Sequence, residues 1–292
     1  MDEKFKIKSG DTVNLNLFET KGSHYFFKDE DEAKKLLTED VKKMEQLQQK
    51  LYALGEKAIL IIFQGMDTAG KDSCIRHIFS GVNPQGCSVT SFKQPTSLEL
   101  SHDFMWRHYA ALPPKGFITI FNRSYYENLL ITRVHPELLL KEKMPAITNP
   151  ETIAEGFWKE RFETINAFEK QLAASGTTIL KFFLHISKGE QKNRLLQRIE
   201  DQNKNWKFEY GDLKERTCWH QYQNAYEDML SNTSLHHAHW HAIPADEKWF
   251  SRVAISRILV KTMEDMNLSF PVIADDKKQL LQKASQELNH EK

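Results

Sequence analysis

The sequence predicts an α/β protein built on a mostly parallel sheet, and three observations support this prediction. Residues 58–62 form an unbroken aliphatic run, which is typical of a strand that helices cover on both faces. This run leads into the pattern G-x-x-x-x-G-K at residues 65–71, a loop whose backbone N–H groups can surround phosphate oxygens. Further apolar strands alternate with helical patterns, as they do in chains that form parallel sheets.

Length and composition limit the class of protein. A chain of 292 residues can bury a large core, and we expect one large domain. The 40 basic and 40 acidic side chains balance, so the net charge predicts neither a nucleic-acid nor a membrane partner. The three cysteines form no paired pattern, the chain opens on charged residues, and no apolar run reaches the ~20 residues that span a bilayer. We therefore predict a cytoplasmic location.

The segment before the first strand contains one regular element. Residues 1–30 lack periodicity and predict an irregular arm draped over the domain. From about Asp31 to Leu54 the apolar residues recur at helical spacing, which predicts a helix packed on one face. The first strand is expected near residues 58–64. The helix that follows the loop is expected to run to Ser80.

The loop at residues 65–73 contains two carboxylates beside its phosphate-binding pattern. Its expected phosphate ligands are Gly65, Ala69, Gly70, Lys71 and Asp72. The carboxylate of Asp67 would repel a phosphate unless a divalent cation lay between them, so it predicts a metal ligand. The alternative is that Asp67 is only a turn residue. Asp72 stands where the usual motif has a serine or threonine that binds Mg²⁺.

Two further strands are predicted to bring side chains to the same edge of the sheet. Residues 88–92 predict a strand, and Lys93 follows at its C-terminal end, where ligands bind in such sheets. A helix is expected near residues 97–111. Residues 116–121 then predict a third strand, which delivers residues 122–127 to this edge.

The block at residues 122–127 is the second group that predicts chemistry. Arg123 at a strand end can bind two phosphate oxygens at once, and Asn122 adds an amide beside it. Glu127 has two interpretations, a metal or substrate ligand and the last residue of a capping box that begins at Ser124. Arg133, nearly two turns further along, can face phosphate or solvent.

The second half of the chain predicts two strands and a helical lid. Asn149 followed by Pro150 predicts the start of a long helix, and residues 178–186 predict the fourth strand. Two helices with a polar tip follow near residues 188–218. They carry the basic residues Arg194 and Arg198 and predict a lid over phosphates, the alternative being a solvated helical hairpin.

The end of the chain contains a histidine cluster at residues 236–241. In a strand, alternate histidines would share a face that suits Zn²⁺, but no carboxylate or thiol motif accompanies them. We favour a last strand that ends near Pro244, followed by a helix at about residues 246–266. The predicted domain division is the arm (1–30), a catalytic domain (31–268) and a polar tail (269–292).

Several blocks of this sequence together resemble the polyphosphate kinase family 2 over most of the chain. They are the residues 65–72 (G-M-D-T-A-G-K-D), 92–96 (F-K-Q-P-T), 104–107 (F-M-W-R), 121–127 (F-N-R-S-Y-Y-E), 133–135 (R-V-H) and 240–246 (W-x-x-I-P-A-D). The resemblance implies a three-layer α/β/α sandwich of the phosphate-loop kinase type with a helical lid. It also implies reversible phosphoryl transfer between inorganic polyphosphate and nucleotides, dependent on Mg²⁺ or Mn²⁺.

The resemblance also assigns roles to individual residues. Asp67 is expected to hold metal and help activate the attacking phosphate oxygen, while Lys71 and Arg123 bind the transferring phosphates. The residues expected to line the polyphosphate path or the lid are Arg76, Arg133, Arg194 and Arg198. The form N-R-S-Y-Y-E-N is similar to the branch that accepts nucleoside mono- and diphosphates, where Glu127 is expected to help bind Mg²⁺ when AMP is the acceptor.

The expected substrates are therefore polyphosphate with AMP, ADP and ATP, and this expectation extends to guanine nucleotides. Family likeness also implies a homo-oligomer, either a dimer or a tetramer. Two rival functions stay open at this point. One is a nucleoside or nucleotide kinase of the phosphate-loop type that uses ATP as donor, and the other is a module that binds nucleotides without turnover.

Overall fold

The computed structural model of this chain describes residues 2–22, 26–27, 29–154 and 156–291, so parts of the predicted arm and Lys292 of the tail lie outside the described residues. Five strands in this part of the chain form one parallel sheet in the order β2-β3-β1-β4-β5. The predicted α/β fold with a mostly parallel sheet is confirmed. The strands are β1 (Ala58–Gly65), β2 (Cys87–Ser91), β3 (Ile118–Asn122), β4 (Thr177–His185) and β5 (Trp240–Pro244).

Helices cover both faces of this sheet. The α-helices are α1 (Asp2–Phe5), α2 (Glu30–Leu54), α3 (Lys71–Ile78), α4 (Ser97–Leu100), α5 (Trp106–Tyr109), α6 (Glu127–Val134), α7 (Phe157–Ala174), α8 (Lys188–Glu200), α9 (Tyr210–Thr217), α10 (Trp219–Thr233), α11 (Lys248–Asp265) and α12 (Asp275–His290). Helices α2, α3 and α11 pack together, while α6, α7 and α10 form a second group. Since the central strand β1 is buried along its whole length, the molecule has the three layers expected of an α/β/α sandwich.

The central strand lies between β3 and β4, which places the phosphate loop in the middle of the sheet edge. Ile61 of β1 pairs with Ile120 on one side and with Leu180 on the other. Because all three strands are parallel, the segments that leave their carboxyl ends meet at one edge. The phosphate loop and the block at residues 122–127 are therefore neighbours.

The N-terminal arm packs on the edge of the sheet and on α10. The backbone N–H of Ile7 donates to the carbonyl oxygen of Trp240 at 2.9 Å, and the N–H of Val13 donates to Ser231 Oγ at 2.9 Å. Ile7, Val13 and Leu15 are buried in the same core as the sheet.

Two predicted helices differ from the structure because side chains compete for backbone hydrogen bonds. The expected helix at residues 97–111 is broken into α4 and α5, and Asp103 Oδ1 accepts the N–H of Met105 at 2.9 Å in the gap. Asn149 and Pro150 start only a 3₁₀ turn, Pro150–Thr152, and the long helix α7 begins at Phe157. In addition, the helix after the phosphate loop ends at Ile78, two residues before the expected Ser80.

The segment expected as a polar tail contains a helix, α12, whose leucines Leu280, Leu281 and Leu288 are exposed. No helix in the described part of the chain is both long and apolar enough to cross a membrane.

Candidate active site

The phosphate loop joins β1 to α3 and takes a backbone course that requires glycine. Gly65 has φ 152° and Gly70 has φ 110°. A Cβ atom at Gly65 would lie 2.8 Å from the carbonyl oxygen of Leu184, so a larger residue would disturb the sheet. Thr68 also has a positive φ of 63°. A curled backbone of this kind at the start of a helix is typical of anion-binding loops.

Lys71 folds back across this loop. Its Nζ donates to the carbonyl oxygen of Gly65 at 2.6 Å and to that of Met66 at 3.3 Å, and the side chain is buried. Burial first and the charge of Arg123 second lower the pKa of Lys71 to about 8, against the opposing charges of Asp67 and Glu127. The ammonium group is thus held at the loop, ready to gain a phosphate partner.

Arg123 links the phosphate loop to the end of β3. Its backbone has φ 64°, and its N–H donates to the carbonyl oxygen of Phe63 in β1 at 3.0 Å. Its guanidinium lies between two carboxylates, 2.9 Å from Asp67 Oδ1 and 3.6 Å from Glu127 Oε2. The charge of Glu127 raises the pKa of Arg123 above its ordinary value, with a further contribution from Asp67. Arg123 is therefore a permanent cation at this edge.

Glu127 points into the site. Its Oε1 accepts a hydrogen bond from Gln64 Nε2 at 3.2 Å. Its N–H bonds to the carbonyl oxygen of Ser124, and the hydroxyl of Ser124 accepts the N–H of Tyr126 at 3.3 Å, so these two residues form no capping box. This arrangement favours the functional interpretation of Glu127 over the capping one.

Asp72 and Asn122 extend the site toward β2. Asn122 Nδ2 donates to Asp72 Oδ1 at 2.8 Å and to Ser91 Oγ at 3.3 Å. Burial acts to raise the pKa of Asp72, but the bond from Asn122 and the charge of Lys71 outweigh it and lower the pKa. Asp72 is therefore a carboxylate anion whose charge the nearby Lys71 and the amide of Asn122 stabilise. The charge of Lys207, at the tip of the lid, also contributes to this lowering.

Of the two lid helices, α8 and α9, helix α8 contacts the phosphate loop directly. Arg194 is buried, and its Nη1 donates to the carbonyl oxygens of Thr68 at 2.9 Å and Ala69 at 3.0 Å. Its Nη2 donates to the carbonyl oxygens of Ala245 and Asp246, and its Nε donates to Glu190. Carbonyl and carboxylate oxygens thus occupy the Arg194 guanidinium in this structure, and the role of Arg194 as a polyphosphate ligand stays a prediction.

The other predicted arginines lie at three different places. Arg198 on α8 donates to Asp212 Oδ2 of α9 at 3.2 Å, inside the lid. Burial raises the pKa of Asp212, and the charge of Asp67 raises it further. Arg133 contacts Asp228 of α10 at 2.5 Å and lies over the ring of Trp158, so the structure does not bring it to the loop. Arg76 is exposed on α3.

Three residues around the site had not been predicted from the sequence to lie there, although the helical spacing of Tyr226 predicts a core residue. Gln191 of α8 donates to the carbonyl oxygen of Asp67 at 3.2 Å, and Arg216 of α9 donates to Gln191 Oε1 at 2.7 Å. Tyr226 of α10 is buried, and its pKa is raised first by burial and then by the charge of Glu127. Gln191 lies about one helical turn before Arg194 and so shares its face of α8, a spacing from which its place near the loop could have been predicted. Arg216 and Tyr226 carry no local signal, because their contacts depend on how separate helices pack.

A cavity of about 350 Å³ opens beside Arg123 and Glu127. Its walls come from the loop after β2, from α5 and α6, and from the 3₁₀ helix Pro136–Glu142. The predicted residue Lys93 lies at this cavity, and Arg107 lies over the ring of Phe92, with 5.3 Å between its Cζ atom and the ring centroid. The cavity has an apolar wall and cations near the phosphate loop, a combination that suits a phosphorylated small molecule.

A basic cluster lies on the opposite side of the loop, formed by Arg76, Lys248 and Arg252. Arg252 of α11 donates from Nη2 to Ser73 Oγ in the first turn of α3 at 2.7 Å. Burial lowers the pKa of Arg252, and the charge of Arg76 lowers it further. Burial and the charge of Arg194 likewise lower the pKa of Lys248. Within the described ranges, none of the three forms an ion pair with a carboxylate.

The remaining candidates have other contacts. Burial raises the pKa of the Cys74 thiol to about 11, which favours a packing role for this residue. His239 Nδ1 lies 3.1 Å from the carbonyl oxygen of Ile7, and His241 is buried in β5 beside the carbonyl oxygen of Lys181. The part of the chain that the structure describes contains no group of three His, Cys, Asp or Glu side chains able to hold a metal ion.

The two carboxylates Asp67 and Glu127 nevertheless suit Mg²⁺. This cation usually keeps several waters and takes one or two carboxylates together with substrate phosphates. Both carboxylates face Arg123 at the loop, and the Oε1 atom of the neighbouring Gln64 is buried without a hydrogen-bond partner. A site that the substrate completes fits this donor set better than an all-protein cage.

Sequence comparison finds relatives of this chain over nearly its whole length. The sequence profile of the family described as polyphosphate kinase 2 matches residues 27–271. The chain is 46% identical to the ADP-polyphosphate phosphotransferase of Rhodopseudomonas palustris, with 97% of each chain covered. It is 40% identical to the AMP/ADP-polyphosphate phosphotransferase of Meiothermus ruber, covering 92% of this chain and 95% of the relative.

Structural comparison finds the same similarity. The crystal structure of polyphosphate kinase 2 from Arthrobacter aurescens TC1 superposes with a TM-score of 0.85 at 35% sequence identity. The match covers 96% of each chain. The loop, lid and sheet described above thus have a close counterpart in a solved structure.

Proposed function

This chain belongs to the polyphosphate kinase 2 family, and from that membership we propose that it transfers phosphoryl groups between inorganic polyphosphate and adenine nucleotides. The observation that carries the proposal is the cluster of Asp67, Lys71, Arg123 and Glu127 at the phosphate loop, with a nucleotide-sized cavity beside it. We further propose that the reaction is reversible, that AMP and ADP are both acceptors, and that guanine nucleotides also serve.

We assign the acceptor nucleotide to the cavity beside Arg123. Its terminal phosphate would meet the guanidinium, and its base would lie against the apolar wall near Phe92. Because the attacking atom is a phosphate oxygen that is already anionic, no strong side-chain base is needed. The protein's part is to align two polyanions that repel each other and to neutralise the charge between them.

Lys71 and Arg123 supply that neutralisation. Lys71 would exchange the carbonyl oxygens of Gly65 and Met66 for a phosphate oxygen, while Arg123 can bind two oxygens with its planar guanidinium. Asp67 and Glu127 would hold Mg²⁺ or Mn²⁺, which supplies positive charge between the loop and the phosphates when bound. Asp67 now contacts Arg123, so we expect this contact to loosen when phosphate arrives.

One assay separates this function from its rivals. The protein is incubated with Mg²⁺, ADP or AMP, and long-chain polyphosphate without ATP, and the formation of ATP and ADP is followed. Product from polyphosphate supports the proposal. Product only when ATP is the donor would favour a nucleotide kinase, and binding without any turnover would favour a sensing module. Light scattering on the same sample tests the expected dimer or tetramer.

The depressed pKa of Lys71 predicts a pH dependence. A phosphate binds the protonated amine, so kcat/KM for polyphosphate should fall as the pH rises above about 8, by up to tenfold for each pH unit. Measurement from pH 6.5 to 9.5 at saturating ADP checks this. The Lys71→Met variant serves as the control, because its weak residual activity should lack this fall. A flat wild-type profile would contradict the prediction.

We propose that the polyphosphate chain leaves the loop over the basic cluster of Arg76, Lys248 and Arg252. Changing Lys248 and Arg252 to glutamine should raise KM for long-chain polyphosphate about tenfold, because two cations that could bind its phosphates are lost. The KM for tripolyphosphate and the kcat should change less than twofold. Lys261→Gln, at the far end of the same helix, is the matched control. Equal changes for short and long chains would exclude this path.

A further inference from the structure

A fully buried ion pair lies beneath the loop that carries Arg123. Lys181 of β4 and Glu169 of α7 have no solvent exposure, and 2.7 Å separates Lys181 Nζ from Glu169 Oε2. Lys181 also donates to the carbonyl oxygen of Thr233 at 2.7 Å. The pair therefore connects the sheet to helices α7 and α10, and the steps proposed above for phosphoryl transfer do not use it.

The second oxygen of Glu169 binds two consecutive tyrosines. Its Oε1 accepts hydrogen bonds from Tyr125 Oη at 2.7 Å and from Tyr126 Oη at 2.8 Å. Lys181 Nζ donates to Tyr126 Oη at 2.9 Å. Burial raises the pKa of each phenol well above its usual value, and the charge of Glu169 raises it further. Both tyrosines therefore remain neutral hydrogen-bond donors. We call these four side chains the buried network.

Stability alone does not account for such a network. The free-energy cost of removing two charges from water offsets much of the free energy that their attraction contributes. Apolar residues of similar volume often stabilise a core equally well. What distinguishes the network is its place in the chain. Tyr125 and Tyr126 lie in the chain between Arg123, which contacts Asp67, and Glu127, which contacts Arg123.

Arg123 also needs an external restraint. Its φ of 64° lies in the left-handed region, which residues with a side chain adopt only when the surrounding structure holds them there. On the N-terminal side, the N–H of Arg123 is bonded to β1. On the C-terminal side, Ser124, Tyr125 and Tyr126 are fully buried, and the hydroxyl groups of the two tyrosines donate hydrogen bonds to Glu169.

We propose that Glu169 and Lys181 are positioning residues of the phosphoryl-transfer site. Through Tyr125 and Tyr126 they hold the loop so that the Arg123 guanidinium stays beside Asp67 during transfer. They touch neither substrate in this arrangement, and they act through the residues that do. This inference rests on the proposed function, since it assigns the network to the same reaction.

The main test removes the two hydroxyl groups and keeps the rings. Tyr125→Phe/Tyr126→Phe should lower kcat for ATP formation about tenfold while KM for polyphosphate and ADP changes less than twofold. Glu169→Met/Lys181→Met, which removes both charges, should give a similar loss of kcat. The single Tyr126→Phe variant loses one oxygen atom and provides a mild third member of the series. Thermal unfolding is measured for each variant.

A double-mutant cycle separates positioning from a merely structural role. If the network acts through Arg123, Tyr125→Phe/Tyr126→Phe, which should lower kcat about tenfold in the wild type, should lower it less than twofold in an Arg123→Lys background. A structural role predicts the same fold-change in both backgrounds. The control is the pair of Asp40 and Arg257, which joins α2 to α11 with 2.9 Å between Asp40 Oδ1 and Arg257 Nη1. Asp40→Asn/Arg257→Met should shift the melting temperature and leave kcat within twofold.

The outcomes divide cleanly. A folded Tyr125→Phe/Tyr126→Phe variant with wild-type kcat overturns the proposal, and so does an equal loss of kcat from this variant in the Arg123→Lys background. If the wild-type protein forms no ATP from polyphosphate, the proposed function fails, and this inference fails with it. If the wild type forms ATP from polyphosphate and the network variants keep its kcat, this inference alone fails and the proposed function stands.

Discussion

Replacing Lys71 with methionine is expected to lower kcat by about 10³-fold or more, which corresponds to about 4 kcal/mol of transition-state stabilisation. The side chain keeps its length and loses the charge that meets the transferring phosphate. Stopped assays with polyphosphate and ADP measure the loss. Lys283→Met, which removes an exposed charge from α12, is the matched control and should keep the wild-type rate.

The same change should not weaken the fold. The pKa of Lys71 falls from 10.5 to about 8 in the folded state, a difference of about 2.5 units that disfavours folding by about 3 kcal/mol at neutral pH. This cost is complete below about pH 8 and disappears as the pH rises toward 10.5. Lys71→Met should therefore melt at or above the wild-type temperature at pH 7. A folded variant whose rate is within tenfold of the wild type would contradict the assignment.

The parts of this site that lie next to each other in sequence could be predicted, because their geometry is local. The phosphate loop follows a buried strand and starts a helix, and that order alone fixes where Lys71 can reach. The block at residues 122–127 follows another strand of the same parallel sheet, so its place at the same edge also follows from topology.

Roles that depend on packing between distant elements could not be predicted. Arg194 has the composition and the helical position of a phosphate ligand, yet its donors face the carbonyl oxygens of Thr68, Ala69 and Ala245. Only the docking of α8 against the loop decides between these two roles. The basic residue Arg252 belongs to a closing helix about 180 residues after the loop, and nothing in its own segment indicates that it reaches Ser73.

Two of the helix boundaries that were wrong share one local cause. Asp103 and Asn149 both form side-chain bonds to the backbone two residues ahead, which stop or delay an α-helix that the apolar spacing favours. Periodicity reports which face is buried, but it does not report whether the backbone continues as a helix.

Replacing Asp67 with asparagine is expected to separate phosphate binding from transfer. The amide keeps the shape of the side chain and an oxygen for Arg123 Nη2, which now lies 2.9 Å from Asp67 Oδ1, so the fold should be unchanged. Loss of the carboxylate should lower kcat about 10²- to 10³-fold and raise the Mg²⁺ concentration needed for half-maximal rate. Asp265→Asn, at the exposed end of α11, is the control.

Without metal, the same variant should bind phosphate more tightly. Asp67 repels a phosphate at the loop and also occupies Arg123, and both effects end when its charge is removed. Calorimetric titration with tripolyphosphate in EDTA should therefore give a Kd about tenfold lower for Asp67→Asn than for the wild type. Tighter binding with slower transfer is the combination expected of a metal ligand. If instead the variant keeps the wild-type rate and Mg²⁺ dependence, Asp67 is a turn residue that only holds Arg123, and the cation must be held elsewhere.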